Sequence, residues 1–569
     1  MRDTVATWAK RADTALILPE GAPLSYADLT TQALDFDDML QGLGIVNQTA
    51  AVLCDSVRLS AIAAFATALE NTFCPVSPAY RGARLLPQIR LLDATVVLTD
   101  DPVTFDAAPS PKVLIDGHDF TAKSHDLSGM QPRPPSSARI AMLTAGSSGT
   151  PKRIGYDMGQ LANTAAINAA HFQIGPGTRY LCPMPLSHAH GLISILWVTL
   201  VAGGCVILMP GNLAATHAAL LDHAPTCLSG VPTIHADLAD LIEKDGRRPS
   251  GLRFARSSSA PLNYTMVGRI EQAYGCPLVE TYGLTETTSV VVANALDDRR
   301  VGAVGRVIGD TTAAVLDQNK VAAQGQGELL LKGKSLIAPD DSDAFHDGWF
   351  RTGDLAEIDA DGFIRIIGRQ KEMIKRGGLS VFLSEPDGAI QSLPGVVAAR
   401  SFALNHARLG EDLVAVVELA PGVAMSGAQI LTQIATALPR YKLPSDVRVV
   451  DALPRTEVGK IVRSRVAETF APLFATPEPV STPQPSKILP EILEFCAEEM
   501  QVDASEITQE EPIFDTGALD SFSIEALLML IDAQAGLKLD IADLETAQVA
   551  SVQDLVALID ARQGAKTHA

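Results

Sequence analysis

The sequence predicts an α/β protein of several domains that ends in a separate helical unit. Apolar runs rich in β-branched residues alternate with helical patterns as far as about residue 365, for example at residues 51–54, 95–99 and 206–209. That alternation is typical of sheets covered by helices. Residues 488–564 follow helical spacing instead, and the polar, proline-spaced stretch at residues 475–487 predicts an extended linker. A chain of 569 residues is too long for one core.

Composition limits the functional classes. The chain has 45 Lys and Arg against 66 Asp and Glu, and the net charge of −21 argues against nucleic acid and anionic membranes as partners. Residues 498–515 contain no basic residue and suit either docking to basic partner enzymes or a solvated surface. Seven scattered cysteines without a C-x-x-C pair predict reduced, mostly buried thiols in a cytoplasmic protein.

The uncharged segment at residues 191–209 is nearly long enough to span a bilayer. Gly203 and Gly204 divide it into a helix-like piece and a β-rich piece. We therefore predict a buried helix that is followed by a core strand.

An amphipathic helix is predicted to begin near Ser521. Asp520 and Ser521 are capping residue types, and apolar residues then recur at i, i+3, i+4 and i+7, namely Ile524, Leu527, Leu528 and Ile531. An ordinary N-cap serine and a covalently modified serine both agree with this pattern.

The sequence TAGSSGTPK at residues 144–152 has the composition of an anion-binding loop. Glycines and small residues let the backbone approach a phosphate, and the hydroxyls and the lysine supply donors and charge. It is not a Walker A loop, because no G-K-[S/T] follows the required spacing. The predicted phosphate-binding residues are Thr144, Gly146, Ser147, Ser148, Gly149, Thr150 and Lys152.

Six further motifs follow this loop in order: PLSHAHG (185–191), RSSSAP (256–261), TYGLTE (281–286), WFRTGD (349–354), GRQK (368–371) and LPRTEVGK (453–460). The ordered set resembles the ANL superfamily of acyl-CoA synthetases, peptide-synthetase adenylation domains and luciferases. The resemblance implies a large, multi-layered N-terminal adenylation domain at residues 1–368 and a small, mobile α+β subdomain at 369–470. A Pro-rich linker at 471–487 and a helical-bundle acyl or peptidyl carrier domain at 488–564 would follow.

The resemblance also implies ATP and Mg²⁺ as cofactors and assigns roles to single residues. Activation of a carboxylate sets one anion against another, so the site must neutralise charge during attack on the α-phosphate. The catalytic residues would be Glu286, Thr285 and Lys460. Glu286 would hold Mg²⁺ against the phosphate oxygens, the Thr285 hydroxyl would donate to those oxygens, and Lys460 would bridge carboxylate and phosphate in the transition state. Lys371 would be the hinge, and Gly377 and Gly378 would line the thiol tunnel. The nucleotide-binding residues would be Ser259, Ala260, Pro261, Thr281, Tyr282, Asp354 and Arg369.

The segments around residues 185–192, 230–235 and 256–262 are most similar to the oxalyl-CoA synthetase and coumarate–CoA ligase-like branch. That similarity implies a small or aryl carboxylic acid, with a pocket formed by His188, His190, Val231, Ser258 and Gly283. The residues 187–190 include no acidic side chain, which disfavours an α-amino acid because a buried ammonium would be unpaired. Two histidines and a serine suit a small polar acid such as a dicarboxylate or hydroxy acid, although His190 could also simply pack or hydrogen-bond the backbone.

The resemblance to a carrier domain implies a phosphopantetheine arm on Ser521, added by a phosphopantetheinyl transferase. The enzyme would then load its own carrier for downstream enzymes of secondary metabolism. Two alternatives are a free acyl-CoA ligase with a regulatory carrier-like tail and an amino-acid-activating adenylation–carrier didomain. A non-catalytic scaffold is the fourth hypothesis, and the presence of Lys460, Glu286 and Asp354 argues against it.

Overall fold

The computed structural model describes the chain apart from a set of short segments and a few side chains. The segments are residues 82–83, 118, 145–151, 261, 263, 338–343, 377–378, 407–408, 436, 456–460, 475–487, 501, 504–506, 510–513, 515–518, 520, 548 and 567–569. The side chains are those of residues 380, 521–522, 545–546, 560–561 and 563–566. The chain forms two compact units, Met1–Ala471 and Pro472–Ala569.

A large, mainly parallel sheet lies in the first unit. In the described residues its nine strands, numbered in chain order, run in the order β16 (Arg306–Val307), β15 (Val290–Ala293), β14 (Leu278–Gly283), β13 (Phe254–Ser257), β12 (Cys227–Gly230), β10 (Arg179–Cys182), β11 (Cys205–Leu208), β1 (Thr14–Ile17) and β2 (Leu24–Ser25). The five central strands, β14, β13, β12, β10 and β11, are parallel to one another. Their side chains are almost entirely buried, as expected for strands covered on both faces.

A second, seven-stranded sheet of the described residues has the order β7 (Ala122–Asp126), β6 (Lys112–Ile115), β5 (Val96–Thr99), β3 (Thr49–Leu53), β4 (Thr72–Pro75), β8 (Ala138–Thr144) and β9 (Lys152–Asp157). These strands and those of the larger sheet share one apolar core with the intervening helices. The helices are α1 (Arg2–Trp8), α2 (Tyr26–Gly42), α3 (Val57–Glu70), α4 (Leu85–Leu92), α5 (Pro102–Ala107), α6 (Met158–Phe172), α7 (Val198–Val201), α8 (Leu213–Asp222), α9 (Pro232–Asp245) and α10 (Val267–Tyr274). The α/β prediction is confirmed.

Two smaller, mostly antiparallel sheets complete the first unit in the described residues. One contains β17 (Thr312–Asp317), β18 (Lys320–Ala322), β19 (Gly325–Lys332), β20 (Phe345–His346), β21 (Trp349–Ile358) and β22 (Ile364–Arg369). The other contains β23 (Met373–Arg376), β24 (Leu379–Phe382), β25 (Val396–His406), β26 (Gly410–Leu419) and β27 (Asp446–Val450). It packs with α11 (Ser384–Gln391), α12 (Gly427–Ile434) and α13 (Arg463–Phe470).

The apolar segment at residues 191–209 folds as the sequence predicts. A buried π-helical segment, His190–Trp197, continues into α7, and strand β11 follows. Gly203 adopts φ +88° between helix and strand, a backbone conformation that favours glycine. Over the described residues, no helix combines the length and the apolar character that a bilayer crossing requires.

The described part of the second unit consists of helices, namely α14 (Leu489–Met500), α15 (Ser521–Ala535), α16 (Ile541–Thr546) and α17 (Val552–Lys566). These helices share an apolar core of their own. Leu527, Leu528 and Ile531 are buried in it and Ile524 packs against it, which confirms the helical register that the sequence predicts. The predicted linker at residues 475–487 lies outside the described residues.

All seven cysteines of the chain lie in the described residues, and each is a buried thiol without a disulfide partner. Burial raises the pKa of these thiols, for example to about 12 at Cys74 and Cys496. The prediction that the cysteines are mostly buried is confirmed, and their reduced state stays a prediction.

Candidate active site

Asp354 on β21 is the centre of a buried polar cluster. The Tyr282 hydroxyl donates to Asp354 Oδ2 at 2.6 Å, and Arg369 Nε donates to Oδ1 at 2.8 Å. Asp354 and Arg369 are partners across β21 and β22, whereas Tyr282 comes from β14. Burial, together with the Asp354 carboxylate, raises the pKa of Tyr282 well above its ordinary value, so the hydroxyl stays a donor. The structure thus brings together three of the predicted nucleotide-binding residues.

Glu286 lies in a short 3₁₀ turn, Thr285–Thr287, directly after β14. The turn is held at both ends, because the Tyr156 hydroxyl donates to the Thr285 carbonyl at 2.8 Å and Ile337 N donates to the Glu286 carbonyl at 2.9 Å. The Thr287 hydroxyl accepts a further bond from Leu284 N at 2.8 Å. The backbone therefore fixes where the Glu286 side chain begins.

Burial raises the pKa of Glu286 above its ordinary value, and the charges of Arg369 and Lys152 oppose that rise. The Asp354 carboxylate, like burial, raises the pKa of Glu286. The charges of Asp354, Arg369 and Lys152 therefore all act on Glu286, and we call these four groups one electrostatic neighbourhood. A carboxylate and the adjacent Thr285 hydroxyl are hard oxygen donors, which are the ligand types that Mg²⁺ prefers.

The predicted phosphate-binding loop joins two strands of the seven-stranded sheet. Thr144 is the last residue of β8, Lys152 is the first of β9, and the two are paired in the antiparallel register. The loop residues between them, including Gly146, Ser147, Ser148, Gly149 and Thr150, lie outside the described residues. The same is true of Pro261, Gly377, Gly378 and Lys460.

His190 opens the π-helical segment and bonds two serine side chains. Its Nε2 lies 2.7 Å from Ser229 Oγ, and its Nδ1 lies 3.2 Å from Ser259 Oγ. Burial lowers the pKa of His190 well below its ordinary value, and the charge of Arg256 adds to the effect. His190 is therefore a neutral imidazole whose ring nitrogens both engage hydroxyls, rather than a histidine that bonds the backbone.

The other predicted pocket and adenine-loop residues differ in how far they are buried. Val231 caps α9 and is buried, Ser258 is buried after β13, and His188 is half-buried. Ser259 has φ +71°, a strained conformation for a serine, and Ala260 after it is half-buried.

Gly283 has a structural reason to be glycine. A Cβ at this position would lie 2.1 Å from the Ser289 carbonyl oxygen, so only glycine allows β14 to approach the following turn. Upstream on the same strand, the Thr281 hydroxyl donates to the Ser257 carbonyl at 3.4 Å. The structure thus places Thr281 beside the end of β13 and Gly283 beside Ser289, just before β15.

Lys371 lies exposed in a single 3₁₀ turn, Gln370–Glu372, between β22 and β23. Such a short connection is a suitable place for a hinge, and the hinge role stays a prediction. Ser521 is the first residue of α15 in the second unit, and its side chain lies outside the described residues.

Sequence reasoning missed two residues of the buried site, Ser229 and Arg256. Arg256 Nε donates to Ser229 Oγ at 2.9 Å, so the arginine is one hydrogen bond away from the hydroxyl that contacts His190. Arg256 begins the RSSSAP motif, and its position as the one charged residue of strand β13 was the available signal.

Comparison with known proteins agrees with this site. The AMP-binding enzyme family matches residues 5–338, and the AMP-binding enzyme C-terminal domain matches residues 385–460. The chain is 37% identical over 357 residues to the sulfoacetate–CoA ligase of Cupriavidus necator, covering 60% of this chain and 69% of that protein. It is 30% identical over 351 residues to the oxalate–CoA ligase of Arabidopsis thaliana, covering 59% and 68%.

Among solved structures, ATP-bound MatB from Rhodopseudomonas palustris is similar, with a TM-score of 0.72 and 25% identity over 83% of this chain and 99% of that one. The chain belongs to the AMP-binding enzyme family of the ANL superfamily, with its large and small domains. It is an acid–thiol ligase that works through an acyl-adenylate.

Proposed function

We propose that the protein activates a short carboxylic acid with ATP and Mg²⁺ and transfers the acyl group to coenzyme A. The observation that carries the proposal is the Asp354 cluster, with Tyr282 and Arg369 bonded to one buried carboxylate and Glu286 in the same electrostatic neighbourhood. The names of the relatives, sulfoacetate–CoA ligase and oxalate–CoA ligase, support a short acid and CoA as the thiol.

The chemistry follows from these side chains. The Asp354 carboxylate accepts the ribose hydroxyls, which orients the nucleotide. A carboxylate oxygen of the acid then attacks the α-phosphorus, and pyrophosphate leaves. Glu286 and the Thr285 hydroxyl would hold Mg²⁺, which would neutralise charge on the phosphates. Lys460 would stabilise the charge that develops between the acid and the α-phosphate.

In the second half-reaction the thiolate attacks the acyl carbonyl carbon, a thioester forms and AMP leaves. The exposed turn at Lys371 would let the small subdomain change its orientation between the two half-reactions.

A second candidate acceptor is a phosphopantetheine thiol on Ser521. The observation in its favour is that Ser521 begins α15 in a compact helical unit with its own core. A tethered thiol would act at an effective concentration of about millimolar and would compete with dilute CoA. The CoA ligase relatives favour free CoA as the acceptor, which leaves the helical unit as a regulatory or vestigial tail.

The test uses the full chain, expressed with and without a phosphopantetheinyl transferase. Pyrophosphate release is screened across short acids, and the thioester is then sought as acyl-CoA and as added mass on the protein. Equal rates of acyl-CoA formation by the parent and by Ser521→Ala would establish free CoA as the acceptor. Acyl mass on the parent but not on Ser521→Ala would establish the tethered acceptor.

Ser523→Ala is the matched control, because Ser523 lies on the same helix and its hydroxyl donates inward to Glu499 at 2.6 Å. Its acyl loading should equal that of the parent. Absence of pyrophosphate release with every acid would contradict the proposed function.

A further inference from the structure

Arg256 is a fully buried cation without an ionic partner. Its exposed fraction is 0%, and neither Nη1 nor Nη2 has a hydrogen-bond partner among the residues that the structure describes. No carboxylate in those residues lies within ion-pair distance of the guanidinium. Its contacts are the Ser229 hydroxyl at Nε and the faces of Phe172 and Tyr180, with ring centroids 5.4 and 5.7 Å from Cζ.

These contacts do not compensate for burial of the charge. A neutral hydroxyl and two aromatic faces stabilise a cation far less than water does. Apolar side chains commonly replace buried ions without loss of stability, so an uncompensated arginine in a core points to a functional role.

The position of Arg256 agrees with a ligand site. Arg256 is the register partner of Ser229 on the adjacent parallel strand, and both lie near the carboxyl ends of β13 and β12. Ligands of open α/β sheets bind at the carboxyl ends of the strands. Ser229 bonds His190, and Ser258 follows β13, so the guanidinium adjoins the predicted acid pocket.

We propose that Arg256 binds a second anionic group of the acid substrate, so that the substrate is a short acid with two negative charges. The inference rests on the proposed function, because it places the second anion in the same pocket as the carboxylate that is activated. The Nη1 and Nη2 donors form a planar fork that matches a carboxylate or a sulfonate. The same charge disfavours an α-ammonium group and therefore an amino acid.

His190 lies next to this subsite, because its Nε2 bonds Ser229 Oγ, the same hydroxyl to which Arg256 Nε donates. Because Arg256 has no exposed surface, an acid reaches the fork only when side chains that bury the guanidinium move. His190 is neutral, so it adds no second positive charge beside the fork.

The test compares Arg256→Met with the parent on acids of matched length. Oxalate, malonate and succinate represent a second carboxylate, sulfoacetate represents a sulfonate, and acetate, propionate and butyrate carry one charge. We expect Arg256→Met to lower kcat/KM for the preferred dianionic acid by at least about 30-fold, because a buried charge pair loses one partner. The values for singly charged acids should stay equal or rise. A parent that prefers sulfoacetate would show that the second anionic group is a sulfonate, and a parent that prefers a dicarboxylate would show that it is a carboxylate.

Thermal unfolding separates binding from a structural role. Since the variant removes an uncompensated charge, the Tm of the ligand-free protein should stay equal or rise. The preferred dianionic acid should raise the Tm of the parent but not that of Arg256→Met. If the variant fails to fold, Arg256→Lys takes its place, because it keeps the charge without the fork and should show the same selective loss.

Arg253→Met is the control, since Arg253 directly precedes the same strand and donates to the backbone carbonyl of Gln173 at 3.0 Å. Its selectivity should equal that of the parent. An equal loss for singly and doubly charged acids in Arg256→Met, or a parent without preference for dianionic acids, would overturn the inference and leave the proposed function intact. If no acid releases pyrophosphate while a dianionic acid still raises the Tm of the parent alone, the subsite stands and the proposed function fails.

Discussion

Replacement of Asp354 by asparagine should weaken nucleotide binding and leave the fold intact. The carboxylate accepts bonds from Tyr282 and Arg369 in the structure, and we expect it also to accept the ribose hydroxyls. Asparagine keeps one carbonyl oxygen, which can still accept from Tyr282, but its amide nitrogen cannot accept a ribose hydroxyl. The side chain of Arg369 is 50% exposed, so water can solvate its charge when the Asp354 carboxylate is replaced.

The magnitude follows from the bonds that are lost. One hydrogen bond to a charged group contributes about 2 kcal/mol, which corresponds to a rise in KM for ATP of about 30-fold. The ribose lies away from the reacting phosphorus, so the loss should affect ground state and transition state alike and leave kcat nearly unchanged.

The assay is ATP–pyrophosphate exchange at saturating acid, with Tm as the measure of folding. Tyr282→Phe is the matched control, because it removes one neutral donor and keeps the charge; its effect should be about 5-fold. A folded Asp354→Asn variant whose KM for ATP stays within about 3-fold of the parent would refute the assignment of Asp354 to the nucleotide.

Three further predictions concern catalysis, pH and the hinge. Lys460→Ala should reduce pyrophosphate exchange by at least about 10²-fold without lowering the Tm, because the side chain supplies charge in the transition state; exchange near the parent rate would contradict this. Glu280 is buried and its Oε2 has no hydrogen-bond partner in the described residues, and burial raises its pKa to about 7. Since this pKa exceeds the ordinary value of 4.5 for a glutamate, the contribution of Glu280 to stability is complete below about pH 4.5 and is lost as the pH rises through 7. The Tm of Glu280→Gln should therefore match the parent near pH 4.5, exceed it increasingly up to about pH 7 and exceed it by a constant amount at higher pH; a difference independent of pH in calorimetry would contradict the raised pKa of Glu280. Lys371→Pro fixes φ and removes a donor in the turn between β22 and β23, so the ratio of thioester formation to pyrophosphate exchange should change; an unchanged ratio would exclude the hinge role.

Local features of the fold were predictable from the sequence because they depend on near neighbours. The register of α15 follows from apolar spacing at Ile524, Leu527 and Ile531, and the break between helix and strand follows from Gly203. The pairing of Thr144 with Lys152 also agrees with a loop that lies between two strands.

The partners of His190 were not predictable, because they depend on contacts between distant segments. Ser229 lies 39 residues further along the chain, and Arg256 lies 27 residues beyond Ser229. Only the parallel register of β12 and β13 sets these two residues side by side, and no periodicity of one strand encodes its alignment with another. The same holds for Tyr282 and Asp354, whose strands belong to different sheets.

Because its thiols are buried, the native protein should react only slowly with alkylating reagents. Maleimides react with an accessible thiolate, and burial denies the seven cysteines both access and ionisation. Any native chain that labels rapidly has therefore acquired a new thiol, such as the terminal sulfur of a pantetheine arm. One cysteine engineered on each side of Lys371 would likewise accept a fluorophore pair with little background, and single-molecule energy transfer between the two would test whether the small subdomain moves about Lys371.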